Sequence, residues 1–187
     1  MQLHVVTRLS FFRERLDTYS ISIQREITTM SNTRRKAIEG LQRGDSFTVT
    51  RTFTEQDIKQ FAEISKDYNP VHFDARFAGV KNFKARICHG LLVASMLTEI
   101  GGQIGWLASA MSFQFKKPVY LGDTISCHFK ITKIDEQERA EAEAVFINQE
   151  QTTVMHAVIT GIIPGSQEKR VLEQMVSEGD PTNKVSY

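Results

Sequence analysis

The sequence predicts an α+β fold in which an antiparallel sheet wraps one buried helix. Two observations carry that reading. Gly90 to Ile100 is apolar almost all round, with Leu91, Leu92, Val93, Ala94, Met96, Leu97 and Ile100 in close succession, so a helix there has no solvent face and belongs inside the fold. Four later runs have strand character and are separated by turn signals.

The elements follow in order. Phe47 and Val49 alternate with polar neighbours as in a short strand after Gly44-Asp45. Thr54 and Asp57 form the pattern of a capping box, and Ile58, Phe61, Ala62 and Ile64 make an apolar stripe, which predicts a helix ending near Ser65. Pro70 biases Asn69 away from helix, so residues 67–72 read as an ordered loop. Asp74 can cap a short helix through Phe77 with Gly79 as its stop, and Gly101-Gly102 are expected to end the buried helix. The strands then centre on Met111 to Phe115, Ile125 to Ile131, Ala140 to Phe146 and Val154 to Ile163. Lys117-Pro118, Gly122-Asp123, Ile134-Asp135-Glu136 and Asn148-Gln149 punctuate them.

One domain over residues 44–164 is expected, with residues 1–43 an N-terminal extension and 165–187 a polar, peripheral tail holding at most one short helix around Val171 to Val176. Residues 1–29 carry Arg8, Arg13, Arg15 and Arg25 as a transit peptide would, but also Glu14, Asp17 and Glu26; they are expected to be dispensable.

Composition excludes several function classes. The 187 residues hold 23 basic and 22 acidic side chains, a net charge of +1, so there is no global footprint for nucleic acid or an anionic membrane. No apolar run approaches the length of a membrane crossing. Cys88 and Cys127 have neither redox nor zinc spacing and read as buried free thiols, which suits a reducing compartment: the cytoplasm, or an organellar matrix if residues 1–29 are a transit peptide. His128 and His156 lie on strands without acidic partners at ligand spacing, so no metal site is expected. Trp106 reads as core or pocket lining.

Asp67 and His72 stand five residues apart across a proline-containing loop, where a turn can bring carboxylate and imidazole towards one point and activate a water. Taken alone, the segment reads first as an ordinary capped turn. Cys88-His89-Gly90 leads into the buried helix, whose first amides have no internal partners. Gly90 N–H is placed to polarise a carbonyl, or Gly90 merely allows close packing; the tripeptide does not separate the two. Cys88 reads as structural, not as a nucleophile.

Asp67-Tyr68-Asn69-Pro70-Val71-His72-Phe73-Asp74, His89-Gly90-Leu91-Leu92 and Phe115 to Asp123, in that order, together resemble the MaoC-like (R)-specific enoyl-CoA hydratases, over roughly residues 45–164. The resemblance implies a hot-dog fold, an antiparallel sheet wrapped around a long central helix. It also implies catalytic roles for Asp67 and His72, a thioester-binding amide at Gly90, and a loop shaped by Asn69 and Pro70. His89 is expected beside them as a supporting residue, and the family's loop-supporting serine falls at Thr98. Gly101 to Trp106 is shorter than the matching loop of the family, which leaves acyl-chain preference open.

The implied reaction is reversible hydration of a trans-2-enoyl thioester to an (R)-3-hydroxyacyl thioester in fatty acid metabolism. The implied assembly is a homodimer or higher homo-oligomer. No cofactor is expected, CoA or acyl-carrier protein arriving as part of the substrate. A hot-dog thioesterase and a non-catalytic acyl-thioester-binding protein are the alternatives.

Overall fold

A computed structural model describes residues 32–184; the expectation for residues 1–29 lies outside them. Helix α1 (Asn32–Glu39) is followed by β1 (Ser46–Thr52), α2 (Glu55–Ser65), a 3-10 turn (Pro70–His72), α3 (Ala75–Val80), α4 (Gly90–Ala94) and α5 (Met96–Ile104). Strands β2 (Leu107–Phe115), β3 (Thr124–Ile134), β4 (Arg139–Asn148) and β5 (Thr153–Ile162) come next, and α6 (Ser166–Ser177) is the last described element.

All five strands form one antiparallel sheet in the order β1-β3-β4-β5-β2. Period-two alternation sorts its faces. Ile125, Cys127, Phe129 and Ile131 of β3 and Ala140, Ala142, Ala144 and Phe146 of β4 point inward, in one core with Met96, Leu97, Ile100 and Ile104 of α5. Three alanines on the central strand leave room for the longer side chains of the helix. Trp106 joins this core, and both cysteines are free and buried, with burial pushing each thiol up to about 12.

The capping box of α2 forms as expected: Asp57 N–H donates to the Thr54 hydroxyl, and Thr54 N–H donates to the Asp57 carboxylate. Elsewhere the expected boundaries need correction. Gly79 lies inside α3, which runs on to Val80. The buried helix is two pieces that meet at Ser95, whose ψ of −16° tightens the turn while staying helical. It passes through Gly101-Gly102 and stops at Ile104, because Gly105, at φ +68°, takes the left-handed conformation. A Cβ on Gly105 would also meet Pro164 Cγ at 2.8 Å. The connection to β2 is therefore only Gly105 and Trp106. The helix does have a solvent face, since Leu91 is exposed.

The ends of the described chain also differ from expectation. Helix α1 was assigned to an extension, yet Ala37 is part of the core, and α1 packs on α5 and α6. Helix α6 spans twelve residues and sets Leu172 against the same core. Buried Arg34 reaches Gly102 O, the Thr182 hydroxyl and, at 3.8 Å, the fully covered Asp180 carboxylate. Sequence periodicity does not register this closure, because it rests on single anchors: Ala37, Leu172 and Arg34 with its partners. Removing one partner of a buried pair strands the other, so Arg34→Met is expected to cost roughly 3 kcal/mol, read as a lower urea midpoint at unchanged m-value.

Candidate active site

The Asp67-to-His72 loop is built from nested turns. Lys66 ends α2 in the left-handed region. Asp67 Oδ1 accepts from Asn69 N–H at 3.1 Å, and Asn69 Oδ1 accepts from Val71 N–H at 3.2 Å. Pro70 opens the 3-10 turn, where its lack of an N–H costs nothing, and His72 N–H closes it on Asn69 O. Asn69 and Pro70 thus shape the loop. Asp74 then caps α3, and the Arg76 guanidinium beside it holds its carboxyl well below the usual range.

The consequence is an asymmetric pair. The Asp67 side chain is 47% exposed, that of His72 only 8%, and Asp67 Oδ2 stands 3.8 Å from His72 Nε2. This gap is too long for a hydrogen bond and short enough for one water to touch both atoms. His72 Nδ1 donates to Ile87 O at 2.8 Å, which fixes the tautomer and leaves a lone pair on Nε2 facing the carboxylate. Burial pulls the His72 pKa below its ordinary value; the Ile87 carbonyl opposes this, and nearby His89 adds to it.

His89 holds the loop from beneath. It is almost fully buried, donates from Nε2 to Asp67 O at 2.9 Å, and stacks on His72 with ring centroids 3.8 Å apart. Phe61 and Phe73 complete its cage. Donor atoms of Asp67, His72 and His89 lie within 4.8 Å of one another, a grouping unforeseen from spacing. In this arrangement His72 Nδ1 and His89 Nε2 are both engaged as donors to backbone carbonyls, Ile87 O and Asp67 O, and so hold the loop in place. His89→Phe keeps the stack and loses the bond to Asp67 O. Its kcat is expected to fall about tenfold with little change in KM, measured by steady-state kinetics.

A cavity of about 400 Å³ opens beside this pair. His72, Phe83, Ile87, Gly90, Val93 and Phe115 are among its walls. Residues 87–88 are secured across it, Ile87 bridging to Tyr120 and Cys88 N–H donating to Val119 O. Gly90 is the first residue of α4, so its amide has no carbonyl four residues back within the helix. A Cβ on Gly90 would stand 2.6 Å from Phe115 Cε1, so the missing side chain makes space for the Phe115 ring. The role of Phe115 was not singled out from sequence, although it lies in the Phe115-to-Asp123 motif.

No hydrogen bond joins the Thr98 side chain to the Asp67-to-His72 loop among the described residues. Its hydroxyl donates to Ser95 O at 2.6 Å, and its position two helical turns beyond Gly90 puts it roughly 12 Å along the axis. It borders a separate small cavity with Trp106 and Met111.

Residues 40–155 match the MaoC like domain family. A mitochondrial 3-hydroxyacyl-[acyl-carrier-protein] dehydratase of Arabidopsis thaliana is 34% identical over 130 residues, covering 66% of this chain and 78% of that protein. An (R)-specific enoyl-CoA hydratase of Aeromonas caviae is 31% identical over 104 residues, covering 54% of this chain and 78% of its own. The solved (R)-hydratase from A. caviae involved in PHA biosynthesis superposes with a TM-score of 0.63 at 27% identity, over 67% of this chain and 99% of that one. By sequence match, sheet order and wrapped helix alike, the chain belongs to the MaoC-like family and has its hot-dog fold.

Proposed function

We propose that the protein adds water reversibly to a trans-2-enoyl thioester, giving an (R)-3-hydroxyacyl thioester. The observation that carries this reading is the 3.8 Å gap between Asp67 Oδ2 and His72 Nε2, beside a cavity that His72 and Gly90 both line. The relatives named as hydratases and dehydratases support it.

In the hydration direction Asp67 accepts a hydrogen bond from one hydrogen of the water, and His72 Nε2 takes the other as a proton. The hydroxyl bonds to C3 while the π electrons move towards the thioester oxygen. Gly90 N–H donates to that oxygen as its charge develops. The proton held on Nε2 then passes to C2 on the same face, so the enzyme returns to its starting state with one water consumed. Dehydration is the same path reversed. The scheme draws on no metal or redox cofactor; CoA or an acyl-carrier protein is part of the substrate.

His72 must begin unprotonated to accept that proton. Its pKa is lowered, so the acid limb of kcat/KM for hydration is expected to be centred below about pH 6.5, the ordinary histidine value. A pH series on a short enoyl thioester checks this; an acid limb centred above pH 6.5 contradicts it.

Crotonyl-CoA separates the readings. Loss of enoyl absorbance without thiol release is the expected result, thiol release would indicate a thioesterase, and neither change would indicate a binding protein.

The working form we propose is a homodimer joined along β2. This strand is at the sheet edge, with backbone donors and acceptors unpaired by any described strand on one side. Its inward-facing Met111 and Phe115 are exposed, and on the outer face of the same edge Leu107, Val158 and Ile162 are exposed too. The compartment we propose is a reducing one, on the ground of the two free thiols; two plant relatives are named as mitochondrial.

A further inference from the structure

The chain is nearly neutral, but its charge is unevenly spread around the cavity. Between Ala75 and Gly90 stand Arg76, Lys81, Lys84 and Arg86 with no acidic residue. Phe83 and Ile87 of this segment line the cavity, as do Lys116 and Lys117. Arg76 is taken up by Asp74, and Arg86 lies 3.5 Å from Glu55. Lys81, Lys84, Lys116 and Lys117 are exposed and have no carboxylate partner among the described residues. Two of them are steadied over aromatic faces: Lys84 Nζ lies 4.5 Å from the Tyr120 ring centre and Lys81 Nζ 5.9 Å from that of Phe77. Beside Lys81, Val80 is 80% exposed and Phe77 39%, at the end of α3.

We infer that this basic and apolar collar, running from Val80 and Lys81 through Lys84 to Lys116 and Lys117, docks an acidic acyl-carrier protein that delivers its thioester into the cavity. The inference rests on the hydration reading for the identity of the cargo. The layout of the collar argues for a protein over a nucleotide. A nucleotide's phosphates are compact and call for converging, partly buried donors. Here the cations are exposed and spread over two segments, 81–84 and 116–117, next to exposed Val80 and Phe77. That combination suits an acidic, amphipathic protein surface.

The experiment uses the full chain and the double variant Lys81→Glu/Lys84→Glu, with equal thermal stability as the entry condition for comparison. Holo acyl-carrier protein without an acyl group is titrated into each by calorimetry, which reads docking without chemistry. In parallel, kcat/KM is measured for crotonyl thioesters of the carrier, of CoA and of N-acetylcysteamine. Wild type is expected to bind the carrier, and the double variant about tenfold or more weakly, with kcat/KM for the carrier substrate reduced in step. The N-acetylcysteamine substrate should be unaffected and CoA should change less than about threefold. Equal carrier binding by the two proteins, or no binding by wild type, would overturn the inference. An equal loss on CoA and carrier would also overturn it and assign the collar to phosphate recognition. Should all three thioesters be inert while the carrier still binds and the variant does not, docking stands and the hydration reading falls.

Discussion

Asp67→Asn and His72→Ala are each expected to lower kcat on crotonyl-CoA by about 1,000-fold, within the range for removing a positioned acid or base. Asparagine keeps the oxygen that accepts from Asn69 N–H, so the loop should retain its turn, and what is lost is the carboxylate charge facing the water. The side chain is half exposed, so the substitution should leave the thermal midpoint nearly unchanged. His72→Ala is less clean. It leaves the Ile87 carbonyl without its donor and opens a gap against His89, which should cost roughly 1–3 kcal/mol of stability. Asp67→Asn is therefore the sharper test of mechanism and His72→Ala the test of whether the imidazole is required. Loss of enoyl absorbance, corrected for folded fraction by circular dichroism, measures both. Near-wild-type turnover in either variant would remove that residue from the water-activating pair.

The second large effect concerns Gly90, where packing and chemistry are entangled. Any side chain at this position meets the Phe115 ring, so Gly90→Ala alone would report crowding as much as catalysis. Phe115→Ala clears the space. In that background Gly90→Pro removes the amide hydrogen and Gly90→Ala retains it. Proline suits the first residue of a helix, and His89 at φ −61°, ψ 130° already holds the extended conformation that a residue before proline prefers. The expected result is a kcat about 100-fold to 1,000-fold lower for Phe115→Ala/Gly90→Pro than for Phe115→Ala/Gly90→Ala, the size of effect seen when one oxyanion donor is removed. Equal rates in the two double variants would leave Gly90 with a packing role only.

Much of this architecture was legible because its signals are local. The capping box at Thr54 and Asp57, the alternating strands and the apolar run after Gly90 each depend on near neighbours, and each element forms. Helix ends were less legible. Gly79, Gly101 and Gly102 were read as stops, but glycine ends a helix only where the chain turns left-handed, and that happens at Gly105. The ends of the described chain were missed for a different reason. Arg34 and Asp180 look like ordinary surface charges until folding sets them together, and Leu172 is a single apolar anchor in a polar helix.

The site divides in the same way. Asp67, Asn69, Pro70 and His72 share one loop, and their arrangement follows from turn chemistry within it. His89 was expected as a supporting residue, but its bond to Asp67 O and its stack on His72 need contact across the fold. Thr98 takes the place of the family's loop-supporting serine only through the resemblance, and within the chain its hydroxyl donates to Ser95 O of its own helix. Phe115 shows the limit most plainly. It is 57% exposed, yet its ring stands where a Cβ at Gly90 would, a meeting that only the folded chain brings about.

The central claim is that one water, held between Asp67 and His72, is added to one face of the enoyl double bond. The most direct measurement is the stereochemistry of the product formed from crotonyl-CoA in deuterium oxide, read by NMR after hydrolysis of the thioester. The account predicts an (R)-hydroxyl at C3 and one deuterium at C2, added from the same face. Deuterium and hydroxyl on opposite faces, or free crotonate in place of the hydroxy acid before the hydrolysis step, would contradict it.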